Sequence, residues 1–192
     1  PLVTQMRFFE KEMGGVIPLD IVIDSRSENG IEKSKILRRV DAFQTRLDTF
    51  PHLSRSLSLV DMLKFGRQAY YGGDPLFFAL PNSQERTLIA SSLPNLNSKN
   101  LDFLTNGFTD EKNQKMRVSV QAKDLPRPEM IELIKKVQKL ADSIFSKEDY
   151  DIQYTGASVI FLRSTKFLIN NLVLSLLLAI GLISSVSYTH LT

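Results

Sequence analysis

The alternation of apolar and polar residues predicts β-strands in several parts of the chain. In residues 19–24, Leu and Ile alternate with Asp, Val and Asp, which gives a strand with one strongly apolar face. Residues 116–122 place Met, Val, Val and Ala on one face, and with residues 105–108 across a polar turn they predict a hairpin. Shorter strands are predicted for residues 52–57 and 151–155.

Apolar residues at helical spacing predict helices over residues 31–49, 59–65, 83–93 and 125–147, and a further helix from residue 157 into the C-terminal tail. The second of these helices follows the sequence Ser-Leu-Val-Asp, which has the form of a capping box. The clearest apolar stripe belongs to the fourth and is formed by Met130, Leu133, Ile134, Val137, Leu140, Ala141, Ile144 and Phe145. The stripe of the first is formed by Ile36, Leu37, Val40, Phe43 and Leu47.

The order of these elements predicts an α+β fold. A strand, a helix and a strand are followed by inserted helices and then by a second strand, helix and strand. Two such split βαβ units form a ferredoxin-like sandwich, in which helices cover one side of an antiparallel sheet. We expect residues 15–156 to form this domain.

The C-terminal tail differs from the rest of the chain. Residues 167–192 contain no Asp, Glu, Lys or Arg, and residues 172–183 are almost wholly aliphatic. A helix over residues 167–186 would be about 30 Å long, which matches the hydrocarbon core of a membrane. The alternative is a buried core helix of a soluble domain, but such a helix normally has a polar face and this one has none. The pattern therefore favours a C-terminal transmembrane helix.

Composition and motifs argue against several classes of function. The net charge is +3, and the basic residues occur in short groups on predicted helix surfaces, so we expect no nucleic-acid partner. The chain has two histidines and no cysteine, and no phosphate-binding loop, dinucleotide fingerprint or nucleophile elbow is present. We therefore expect no enzymatic activity, no cofactor and no metal site.

One segment contains residues suited to binding hydrophobic molecules. Tyr70, Tyr71, Phe77 and Phe78 lie in a stretch that is punctuated by Gly and Pro. Aromatic side chains in such a loop could line a path for a hydrophobic substrate. The alternative is a satellite core beneath a long insertion.

Several short motifs, taken in order, resemble the resistance-nodulation-division (RND) superfamily of exporters. The closest branch contains the hydrophobe/amphiphile efflux proteins and the mycobacterial membrane protein large (MMPL) transporters. The matching segments cover most of the chain and comprise residues 8–10, 14–15, 18–23, 56–61, 69–73, 80–81, 154–156 and 171–176. Their order and spacing, rather than any single motif, are responsible for the resemblance.

This resemblance implies a fragment of a transporter in the bacterial inner membrane that is driven by the proton-motive force. Residues 1–14 would connect to an upstream transmembrane helix, and residues 15–156 would be a porter domain that handles substrate in the periplasm. Residues 157–186 would then enter and cross the membrane as the second transmembrane helix, with residues 1–160 extracytoplasmic. The implied partners are the lipid bilayer, lipids or other hydrophobic and amphiphilic molecules, the rest of the transporter chain and further copies of it.

Two features depart from the family pattern. Arg163 and Lys166 precede the span on the side that the family places outside, although positive charge is commoner on cytoplasmic loops. Residues 187–192 resemble translated sequencing-adapter sequence, and we interpret them as non-native. The rival hypothesis is an extracytoplasmic binding or sensor domain that is tethered by a single span.

Overall fold

A computed structural model of the chain describes residues 15–92 and 107–191; for residues 157–158, 161–166 and 187–191 it describes the backbone alone. The strands are β1 (Ile17–Asp24), β2 (Lys115–Ala122) and β3 (Asp151–Thr155). The helices are α1 (Ser34–Leu47), α2 (Leu59–Tyr70), α3 (Ser83–Ser91), α4 (Arg127–Ile144) and α5 (Ala157–Leu191). Single 3-10 turns lie at Gly30–Glu32 and Pro75–Phe77.

The strands form a three-stranded antiparallel sheet in the order β2-β1-β3. In the register, Ile21 lies opposite Val118 of β2 and Tyr154 of β3. Because side chains alternate across a strand, Leu19, Ile21 and Ile23 share one face, and all are fully buried. The strands predicted for residues 19–24, 116–122 and 151–155 are therefore confirmed.

Helices α1 and α4 supply the other half of the core. The predicted stripe of α1 is buried throughout, and in α4 Met130, Leu133, Ile134, Val137 and Ala141 are buried, while Leu140 and Ile144 are partly buried. Phe43 of α1 meets Phe145 edge-to-face, with the ring centroids 5.7 Å apart. Both helices are held to the sheet by burial of apolar surface, which is the dominant favourable term in folding.

The second strand predicted for residues 52–57 does not form. This segment makes only isolated antiparallel bridges to β2, at Leu53–Ala122 and Leu57–Ser119. Four residue steps separate Leu53 from Leu57, but only three separate Ala122 from Ser119, so one extra residue lies between the bridges, and the backbone N–H of Gln121 donates to the Ser54 hydroxyl at 2.9 Å. A side-chain acceptor has thus replaced a ladder bond, as short polar residues commonly allow.

The predicted hairpin can be followed only from residue 107 onward, because residues 105 and 106 lie outside the described part of the chain. Within the described residues, Thr109 forms a bridge with Met116. The turn is closed by Asp110, whose Oδ1 accepts the N–H groups of Gln114 and Lys115, each at 2.7 Å.

Several helix boundaries differ from the prediction, and α1 and α4 are each two or three residues shorter at both ends. Helix α2 continues to Tyr70, past Gly66, although a glycine inside a helix costs about 1 kcal/mol relative to alanine. Ile89 of α3 is buried and lies beside Gly66, so packing between the two helices offsets this cost. Helix α3 ends at Ser91; residue 93, the predicted end, lies outside the described residues.

Helix α5 leaves the domain and continues as the candidate membrane span. Val159, near its beginning, is buried in the core. Phe167–Val186 has a mean hydropathy of 2.2 over its most apolar window, and none of that window is buried against the rest of the protein. The alternative of a buried core helix is therefore wrong for the described structure. Within the described residues, α5 is the one helix that is long and apolar enough to cross a membrane.

Candidate functional site

The aromatic residues singled out from the sequence are brought together by the turn between α2 and the 3-10 turn at Pro75–Phe77. Gly72 and Gly73 have φ angles of +80° and +88°, a region that glycine enters without steric cost. The Asp74 carboxylate then accepts the N–H of Leu76 at 2.9 Å and caps the 3-10 turn. The chain therefore doubles back against the C-terminal half of α2.

This reversal places rings from both segments in contact. Tyr71 stacks on Phe77 with ring centroids 4.3 Å apart, and it meets Tyr70 edge-to-face at 5.1 Å. Phe78 meets Phe65 edge-to-face at 5.0 Å. Such pairs contribute about 0.5–1.5 kcal/mol beyond the area they bury. We refer to Phe65, Tyr70, Tyr71, Phe77 and Phe78 as the aromatic surface.

The aromatic surface is open to solvent and is not a satellite core. Phe65 is 52% exposed, Tyr70 42% and Tyr71 39%, while Phe77 and Phe78 are half-buried. The neighbouring Leu76 is 86% exposed. All four sequence-predicted residues thus make ring contacts around the same turn, but the rings form an exposed surface rather than an enclosed path.

Basic side chains lie over the faces of these rings. The Arg67 guanidinium is 5.8 Å from the ring centroid of Tyr71 and 5.9 Å from that of Phe77. Arg55 and Lys64 lie over Phe78 at 5.3 and 5.7 Å. Cation–π contacts of this kind contribute about 0.5–1 kcal/mol at exposed sites.

Acidic side chains hold two of these cations in place. Arg67 forms an ion pair with Glu85 of α3 at 3.1 Å, and the Tyr71 hydroxyl donates to the same carboxylate at 3.3 Å. The backbone N–H of Asn82 and the Arg67 guanidinium lower the pKa of Glu85 from its usual value. Lys64 is paired with Asp41 of α1. Because both partners belong to other helices, the basic side of the aromatic surface is fixed to the domain.

A buried polar cluster anchors α2, and with it the aromatic surface, to α1. Ser58 and Asp61 form the predicted capping box, which is confirmed, and both are buried. Gln44 of α1, only 3% exposed, donates to Asp61 Oδ2 at 2.6 Å and accepts from the Ser58 hydroxyl at 2.8 Å. Ser56 completes the cluster by accepting from Gln44 and donating to Asp48.

Sequence reasoning missed Phe65, Gln44 and the three cations. Gln44 had a signal, because it lies four residues after Val40 at a position of the apolar stripe of α1. Phe65 and the cations carried no comparable signal, since residues that meet across a turn or between helices are distant in sequence.

The described clefts lie elsewhere. One of about 410 Å³ lies between β3 and α4 and is lined by Gln138, Asp142 and Tyr154 among others. Burial, with a smaller contribution from the negative charge of Asp142, raises the pKa of Tyr154 above its usual value. A second, of about 210 Å³, is lined by Lys33 and Lys35 at the start of α1. None of the aromatic-surface residues lines either cleft.

The chemistry that the aromatic surface offers is binding. Its rings can stack on flat or aliphatic groups, and its basic rim can contact a polar head group. Among the described residues, no group of three or more His, Cys, Asp or Glu side chains could hold a metal ion. No protein-family model and no curated protein sequence matches the chain.

Proposed function

We propose that the chain is part of an RND-type exporter that is driven by the proton-motive force and moves lipids or other hydrophobic and amphiphilic compounds. Residues 15–156 would supply the porter domain, and α5 would supply the second transmembrane helix. The observation that carries the proposal is the continuity of α5. This helix begins beside the sheet, buries Val159 in the core and runs without interruption through Phe167–Val186.

The arrangement of the sheet supports a porter-type domain. When residues 53–57 are included as an irregular edge, the order from one side is β3, β1, β2 and this edge, with every neighbouring pair antiparallel. The connection through α1 joins β1 to the edge at residues 53–57 and passes over β2. The connection through α4 joins β2 to β3 and passes over β1. Two interleaved split βαβ units of this kind are the plan of a ferredoxin-like fold.

The span supports membership of a helix bundle. Asn171 and Ser175 are four residues apart, so they lie on the same face of α5. Polar side chains within a membrane commonly form hydrogen bonds with neighbouring helices. A bundle formed with the rest of the transporter chain would supply such neighbours, whereas a single isolated span would leave these groups facing lipid.

The aromatic surface supports the substrate class. Its exposed rings offer an apolar contact area, and its basic rim would suit a molecule with both an apolar body and a polar head. We place this surface, with all residues up to 160, in the periplasm, and α5 in the inner membrane of a bacterium. A large preceding domain can be translocated regardless of the charges of Arg163 and Lys166.

Reading the gene beyond the codons of this chain tests the proposal. We expect further hydrophobic spans, one of which contains an acidic residue suited to proton relay. A cytoplasmic signalling domain directly after the span would instead establish the tethered sensor and refute the exporter.

A labelling experiment tests the side of the membrane. The chain has no cysteine, so Lys139→Cys on the exposed face of α4 gives a single reactive thiol. In intact spheroplasts this thiol should react with a membrane-impermeant maleimide as fully as it does after permeabilisation. Reaction only after permeabilisation would place the domain in the cytoplasm and refute the proposed orientation.

A further inference from the structure

Gly156 brings the beginning of α5 into direct backbone contact with β1. Its φ is +102°, and a methyl group built on it would lie 2.5 Å from the carbonyl oxygen of Pro18 and 3.2 Å from the amide nitrogen of Asp20. No side chain can occupy that space, because 2.5 Å is well inside van der Waals contact. The sheet and the first residue before α5 therefore meet without intervening atoms.

Gly15, which lies just before β1, makes a similarly close backbone contact with β2. A methyl group there would lie 2.7 Å from both the carbonyl carbon and the carbonyl oxygen of Ala122 in β2. The next residue, Val16, donates its N–H to the same carbonyl at 3.0 Å. Since Ile17 pairs with Ala122 and Asp20 pairs with Thr155, both glycine contacts lie at one end of the sheet.

Helix α5 is also fixed within its first turn. The N–H of Ile160 donates to the carbonyl of Gly156 at 3.1 Å, which begins the helix at the glycine itself. Val159, 7% exposed, packs in the core, whereas Ile160 is 59% exposed. The helix is thus held by its backbone at Gly156 and by a buried side chain three residues later.

We infer that Gly156, assisted by Val159, locks α5 to the central strand of the sheet, so that the membrane helix and the porter domain tilt as one rigid body. From residue 157 to residue 186 the helix is about 45 Å long. When α5 tilts, the movement is transmitted directly to β1 rather than through a loop. Since β1 pairs with both other strands, the whole sheet moves with it. Gly15 and the hydrogen bond from Val16 hold the same end of β2 against β1.

The inference rests on the proposed entry of α5 into a membrane, and it predicts a fixed angle between α5 and the domain. The test uses the full chain in vesicles of phosphatidylcholine and phosphatidylglycerol, with spin labels on Lys139→Cys of α4 and Leu174→Cys of α5. Both positions are exposed, and the chain has no other thiol. Pulsed electron spin resonance should give one narrow distance maximum.

Gly156→Ala should remove that single maximum, because the added methyl group forces α5 away from Pro18. Gly73→Ala is the matched control. Its φ of +88° imposes a similar backbone penalty, but nothing lies within 4 Å of the added methyl group, so the maximum should stay narrow. Val159→Ala, which leaves the glycine contact intact, should broaden the distance maximum. This variant replaces Gly156→Ala in the test if Gly156→Ala does not fold, and an unchanged maximum would then refute the lock.

The outcomes separate the two proposals. If oxygen accessibility shows that the label at residue 174 lies outside the bilayer, the membrane role of α5 fails. If that label lies in the bilayer but the unsubstituted distance distribution is broad, the rigid lock alone is refuted. A narrow maximum retained in a folded Gly156→Ala variant would equally refute it.

Discussion

The buried cluster around Gln44 gives the most direct test of how the candidate site is held to the domain. We consider Gln44→Met, because methionine is unbranched, has a similar length and lacks the amide. The substitution removes the hydrogen bonds to Asp61 and Ser56 and the one from Ser58, while Asp61 keeps the N–H of Ser58 at 2.9 Å. Asp61 and the Ser58 hydroxyl remain in place without their former partner.

The size of the expected loss of stability follows from the kinds of hydrogen bond that are lost. A buried hydrogen bond to a charged group contributes about 1.5–3 kcal/mol, and a neutral one about 1 kcal/mol. Burial of the apolar methionine side chain returns about 1 kcal/mol. With one bond to a charged group and two neutral bonds lost, the expected loss in the free energy of unfolding is about 2.5–4 kcal/mol, which corresponds to a fall in Tm of roughly 5–16 °C for a chain of this size.

The measurement is urea unfolding of the full chain in detergent, followed by far-ultraviolet circular dichroism. Thr45→Ala is the control, because Thr45 is the next residue of α1 and its exposed hydroxyl donates to the carbonyl of Asp41 within the same helix. The control should change the free energy of unfolding by less than about 0.5 kcal/mol. If Gln44→Met lowered the free energy of unfolding no more than the control does, water would be replacing the lost hydrogen bonds to Asp61 and Ser58. The cluster could then not be what holds α2 to α1.

Further predictions concern the helix cap, the pH dependence and the aromatic surface. Ser58→Ala should lower the free energy of unfolding by about 1–2 kcal/mol in the same assay, because the N–H of Val60 loses its acceptor; an unchanged value would mean that the cap is dispensable. Burial raises the pKa of Asp24, but hydrogen bonds from Gln114 and the N–H of Arg26, with the charge of Lys115, outweigh it, so the pKa is below its usual 3.8. A carboxyl group whose pKa is lowered on folding stabilises the protein above the unfolded pKa, so this contribution should disappear as the pH falls below about 4. Asp24→Asn should flatten that part of the stability profile, and an unaltered profile would exclude Asp24 as its source. Tyr71→Ala should weaken binding of the amphiphilic dye anilinonaphthalene sulfonate about two- to tenfold in a fluorescence titration, whereas Leu88→Ala on α3 should not; equal effects would show that the rings do not form the site.

Most of the core could be predicted from the sequence because its signals are local. The period of two in residues 19–24 identified the buried face of β1, and the helical stripes identified the buried faces of α1 and α4. The capping box at Ser58 also depends on residues only a few positions apart. Each of these features is governed by backbone geometry within a single element.

The candidate site was predicted only as a group of residue types. The sequence placed Tyr70, Tyr71, Phe77 and Phe78 in one segment, but it left open whether they would be buried or exposed. The answer depends on the position of α3, which lies beside α2 through Ile89 and the ion pair between Glu85 and Arg67. The strand predicted for residues 52–57 failed for a similar reason, because its pairing depends on β2, which is distant in sequence and leaves one extra residue between the two bridges.

The sequence by itself determined the apolar faces of the strands and helices and the length of the charge-free span, because periodicity and hydropathy are properties of the chain alone. Only the tertiary structure decided that the aromatic rings form an open surface with a basic rim, and that Gly156 meets β1 with no room for a side chain. Both depend on close approaches between segments that are far apart in sequence. Such approaches are fixed when the core packs, and no local pattern of residues records them.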